Sequence, residues 1–169
     1  DTDAEVIASE GFLFVATDES KALLHSAIDR LEARGRTNFQ AAFTTAFDVL
    51  DRSVREEFNV NCNTAILFLT DGEMTDPPNV SQSDVVALVQ QRIVNTQQTL
   101  NKPISLFTYS VSEQGDSVDE FPSKLACAVD LGVWSKVAND DDIVPSLASY
   151  YLLFALGLGS DENEDFVAW

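Results

Sequence analysis

Five apolar residues in succession, Ala65 to Leu69, stop abruptly at Thr70-Asp71-Gly72. A run without polar alternation is the pattern of a strand covered on both faces, as in a parallel sheet. Parallel strands need long crossover connections, usually helices, so this one stretch restricts what the rest of the chain can be. Asp71 and Gly72 fall where open α/β sheets place their sites, outside the carboxyl ends of the strands. Asp-Gly is also common turn chemistry, and the stretch alone leaves both readings of Asp71 open.

The remaining chain supplies the helices that such a sheet requires. After a loop containing Pro77-Pro78, residues 84–100 place Val85, Leu88, Val89 and Ile93 at helical spacing, and Pro103 stops them. Residues 104–111 (ISLFTYSV) predict the next strand. Residues 122–130 predict a short helix closed by Gly132, and residues 133–137 (VWSKV) a short strand toward a sheet edge. Asn139-Asp140-Asp141-Asp142 then opens a further helix through Leu147, Tyr150, Tyr151 and Phe154. Acids at a helix start suit the dipole, and the glycine and acid spacing of an EF-hand loop are missing there.

Upstream, residues 4–8 and 12–16 read as an edge strand and an extended connection. Residues 18–34 read as a helix with Ala22, Leu23, Ala27, Ile28 and Leu31 on one face, capped by Asp18 or Ser20 and ended by Gly35. His25 on this helix reads as a surface or boundary residue, since no Ser or Cys nucleophile is marked out beside it. Residues 39–54 read as a second helix, with Phe43 and Phe47 in its core stripe and Asn38 or Thr37 as its cap. Strand and helix alternate from Thr64 onward, which implies a parallel α/β sheet with right-handed crossovers.

With 169 residues and 45% hydrophobic composition the chain can bury one domain core. A net charge of −18 argues against nucleic acid and anionic membrane surfaces as partners, because both require clustered Lys and Arg. No apolar run approaches the roughly 20 residues needed to span a bilayer. Cys62 and Cys127 are too few for a disulfide scaffold and match no zinc spacing; one disulfide and two free buried thiols both stay open. Asn79-Val80-Ser81 is an N-glycosylation acceptor pattern in a loop.

Thr37 precedes a helix and Asp71 ends a strand, so a hydroxyl and a carboxylate are both available to a hard cation, which prefers oxygen ligands. Gly35-Arg36-Thr37-Asn38 before the Phe/Ala-rich helix, followed by ILFLTDGE, resembles the von Willebrand factor A (VWA) domain. In that family a metal-ion-dependent adhesion site combines an Asp-x-Ser-x-Ser loop, a threonine of a G-x-T-[ND] segment and the aspartate of T-D-G. Thr37 matches the threonine and Asp71 the aspartate. Cys62-Asn63, Leu125-Ala126-Cys127 and the acidic tail to Trp169 further resemble the VWA–Cache type, which includes the alpha-2-delta auxiliary subunits of voltage-gated calcium channels.

The resemblance implies a Rossmann-like, doubly wound, mainly parallel sheet over residues 1–159, with residues 160–169 an acidic linker opening a following region. No Asp-x-Ser-x-Ser occurs in these 169 residues. The chain is therefore expected to lack the fold's first strand and helix, to leave the Thr64 strand as a sheet edge, and to hold an incomplete metal site. The implied function is an adhesion-type module of an extracellular or membrane-anchored protein. Thr37 and Asp71 would hold Mg²⁺ (or Mn²⁺ or Ca²⁺), and a protein ligand would supply a carboxylate to it. Glu73 and Asp76 read as solvated loop acids. The alternatives are a metal-dependent hydrolase using Asp71, for which no general base is marked, and a degenerate structural VWA domain.

Overall fold

The computed structural model describes residues 4, 6, 11–13, 15–32, 35–56, 63–111, 117–137, 144–148 and 150. The readings at 4–8, at Cys62 and beyond residue 150 fall wholly or mostly outside these, as does the Asn139–Asp142 cluster. The protein is mixed α/β, in the order α1 (Asp18–Ile28), α2 (Phe39–Arg55), β1 (Thr64–Thr70), α3 (Gln82–Leu100), β2 (Ile104–Val111), α4 (Ser117–Cys127) and β3 (Gly132–Val137). Residues 144–148 and 150 are again helical. The chain divides into two compact units, Asp1–Cys62 with Gly72–Pro103, and Asn63–Asp71 with Ile104–Trp169.

In the first unit, α2 and α3 pack against each other. Helix α2 starts at Asn38, whose side chain accepts the Ala41 N–H at 2.9 Å, one of the two caps the sequence offered. Phe39, Phe43, Phe47 and Leu50 form its buried stripe, and each apolar side chain so buried stabilises the fold by about 1.5–3 kcal/mol. Helix α3 begins two residues earlier than its periodicity suggests, because Ser81 and Asp84 close a capping box ahead of the first apolar position. Arg92 of α3 donates to Asp48 at 2.7 Å and Asp51 at 3.1 Å on α2 and lies over the Phe47 ring; Thr96 adds a bond to Asp51 at 2.7 Å.

Helix α1 departs from expectation. Thr17 caps it through a capping box with Ser20, and it ends at Ile28 rather than at Gly35. None of its residues is buried, and Leu23, Ile28 and Leu31 are exposed. An apolar stripe without a covering surface has little to extend it past the turn where propensity alone can hold it.

The second unit holds a three-stranded parallel sheet in the order β1-β2-β3. Strand β2 is the central one, and its residues 104–110 are all buried. On one face, Phe107, Tyr109 and Val137 form a core with Ala65, Val133, Leu147 and Tyr150, the Tyr150 ring meeting Phe107 edge-on at 5.8 Å. On the other, α4 covers β2 and β3: Thr108 Oγ1 donates to the Pro122 carbonyl at 2.8 Å, and Phe121 meets Phe68 edge-on at 6.2 Å. Helix α4 begins at Ser117 and carries Pro122 inside it, whereas the sequence reading used this proline as the first helical residue.

Strand β1 lies at an edge of the described sheet, the position expected for the Thr64 strand, but its apolar run is not covered on both faces. Strand β1 pairs with β2 alone among the described residues, and Leu67 and Leu69 remain 38% and 43% exposed. Their register partners Phe107 and Tyr109 are buried, since β2 has a neighbour on each side. Cys127 is exposed at the end of α4, so it is not one of two buried thiols. No helix among the described residues is long and apolar enough to cross a membrane.

Candidate metal centre

Thr37 sits in a short loop whose shape is set from both ends. Gly35 takes φ +85°, a left-handed conformation that L side chains rarely adopt. Asn38 is committed to the N-terminus of α2. Between them, both backbone groups of Thr37 are used: its N–H donates to Thr75 Oγ1 at 2.9 Å, and its carbonyl accepts from the N–H groups of Thr75 at 2.9 Å and Asp76 at 3.1 Å. The Thr37 hydroxyl has no such commitment among the described residues. A fixed backbone with an uncommitted hydroxyl is suited to offering an oxygen to a cation.

Asp76 corrects the sequence reading. It is 6% exposed, not a solvated loop acid, and its carboxylate faces Arg36 Nη1 at 3.6 Å. Arg36 is the residue before Thr37, so this ion pair ties the same two loops together a second time. Glu73 is exposed, as read. The Asp76–Pro77 peptide is cis, and the Val80 N–H closes the following turn on the Pro77 carbonyl at 3.1 Å.

Asp71 is the first residue past β1, exposed at the carboxyl end of a parallel strand, and its carboxylate makes no hydrogen bond or ion pair among the described residues. Thr37 belongs to the first unit and Asp71 to the second, and four positions of chain separate Asp71 from Thr75. Each group by itself, a hydroxyl and a carboxylate without a partner among the described residues, is of the donor type a hard divalent cation takes.

The carboxyl edge of the sheet also carries a polar network that periodicity did not single out. Thr70, Ser110 and Lys136 stand side by side in register across β1, β2 and β3. Lys136 Nζ bonds Asp119 Oδ2 on α4, and Trp134 Nε1 donates to Ser110 Oγ at 3.2 Å. Asp119 Oδ1 is buried without a hydrogen-bond partner among the described residues. Lys136, and after it the nearby Ser110 hydroxyl, hold the Asp119 carboxyl below its ordinary pKa. The usable signal was positional: Ser110 and Lys136 lie near the carboxyl ends of the strands, where parallel sheets gather polar groups. Asp119, in the loop-to-helix region, had none.

Compared with known proteins, the chain matches no protein-family model and no curated protein.

Proposed function

We propose that this chain is a VWA-type module of an extracellular or membrane-anchored protein, of the VWA–Cache kind, that binds a protein ligand through a divalent cation. Thr37 and Asp71 contribute a hydroxyl and a carboxylate to a site for Mg²⁺, Mn²⁺ or Ca²⁺. The cation places positive charge in an acidic surface, so that a partner's carboxylate binds where side chains alone would repel it. The observation that carries this reading is the Thr37 loop: its backbone is fully bonded to the segment just after Asp71, while its hydroxyl stays uncommitted. The three-stranded parallel sheet, with Asp71 directly after β1, is compatible with it.

Thr37→Ala and Asp71→Ala in the full-length protein test the proposal. Each is expected to weaken Mn²⁺ or Mg²⁺ binding, read by calorimetry, by at least about tenfold and to abolish cation-dependent partner binding. Unchanged cation affinity in both variants would leave a purely structural VWA domain, and loss of a hydrolytic turnover would support an enzyme.

A further inference from the structure

The 169 residues contain one N-glycosylation sequon, Asn79-Val80-Ser81, which the cation site does not use. We propose that Asn79 carries an N-linked glycan. This rests on the reading above that the protein passes through the secretory pathway.

The structure places the sequon where a glycan fits the folded chain. Asn79 lies in the turn between the Asp76–Pro77 peptide and α3, and its side chain is exposed, as are Pro78 before it and Ser81 and Ser83 after it. The turn is closed by backbone, Val80 N–H to Pro77 O at 3.1 Å, so it does not depend on the Asn79 amide. Asn79 makes no hydrogen bond or ion pair among the described residues, so substituting its amide nitrogen breaks none of the bonds among them. Ser81 has a structural duty of its own: its hydroxyl accepts the Asp84 N–H at 3.2 Å and donates to Asp84 Oδ2 at 2.7 Å. That cap explains Ser81 without a glycan, but it does not explain an exposed asparagine two residues earlier.

In the transfer, Asn79 Nδ2 bonds the anomeric carbon of the first sugar and gives up one proton. The bond from that carbon to the diphosphate of a lipid-linked oligosaccharide breaks, and the lipid diphosphate leaves with the electron pair.

The test is secretion of the full-length protein from a eukaryotic host, with glycosidase treatment and peptide mass mapping across residue 79. Expected is a glycan on Asn79 that a peptide-N-glycan amidase removes by hydrolysing the side-chain amide bond, leaving aspartate and releasing the glycan as its glycosylamine. Asn79→Gln should lose it, and Ser81→Thr, which keeps both hydroxyl and cap, should retain it. Secreted protein with unmodified Asn79 would overturn this inference and leave the proposed function standing. Protein that never enters the secretory pathway would overturn both.

Discussion

Thr37 and Thr75 bond each other reciprocally: the Thr37 N–H donates to Thr75 Oγ1 and the Thr37 carbonyl accepts the Thr75 N–H, both at 2.9 Å. One side chain and one backbone group of Thr75 thus fix the residue proposed as a metal ligand. Thr75→Val removes the acceptor for the Thr37 N–H while keeping the shape of the side chain. The expected cost is about 1 kcal/mol in urea unfolding, with faster hydrogen exchange at the Thr37 amide. Thr75→Ser should retain most of both. Unaltered exchange at Thr37 in the valine variant would show that the bond does not hold the loop.

The cation prediction follows from what the chain contains. The proposed ligands, Thr37 and Asp71, are only two, and a hard cation takes six or more oxygens, the rest coming from water or elsewhere. Titration of the 169-residue chain with Mg²⁺ is therefore expected to show only weak binding. Tight, stoichiometric binding would refute an incomplete site.

Asp119 sets an acid sensitivity with a defined sign. Its folded-state pKa is lowered, first by Lys136 and then by Ser110, so its contribution to stability is fully present above the unfolded value of about 3.9. It is lost as pH falls through the folded value. Wild type and Asp119→Asn should therefore differ in stability at neutral pH, and the gap should close below about pH 3.9. Denaturant unfolding across pH 2–7 (a range of about five units) measures it, and a constant gap would contradict the assignment.

Arg92 joins two carboxylates, an aromatic face and two helices. Arg92→Ala is expected to destabilise the first unit by about 2 kcal/mol, the range of hydrogen bonds to charged groups. Both acids are bonded by one nitrogen, Nη2, so Arg92→Lys should keep part of this bonding and lose the planar stacking over Phe47. A double-mutant cycle with Asp51→Ala isolates the pair.

Gly132 starts β3 directly against the end of α4. A Cβ there would overlap the Ala126 carbonyl oxygen and crowd Val129, and a backbone oxygen cannot swing aside. Gly132→Ala should cost at least about 1–3 kcal/mol by thermal unfolding, although a strand position ordinarily favours alanine over glycine.

Residues 39–54, 84–100 and 104–111 were legible because their signals are local: apolar spacing, an asparagine ahead of one helix, a proline behind another. The parallel alternation after Thr64 could be read for the same reason. The edge position of β1 was expected from the family resemblance and not from its own residues, because Leu67 and Leu69 have the composition of a covered strand, and only the structure shows how exposed they are.

The candidate site divides the same way. The sequence by itself marks Thr37 and Asp71, through residue type and position relative to a helix start and a strand end. Tertiary structure alone decided that Asp76 is buried beside Arg36, that Thr75 secures Thr37, and that Ser110, Asp119 and Lys136 share one edge. Each of these joins residues with no shared local pattern, across 17 to 40 positions of chain in most cases, for example 38 for Thr37–Thr75 and 17 for Lys136–Asp119. Local periodicity carries no information about which distant loop a chain will meet, because that is set by how the helices and strands pack.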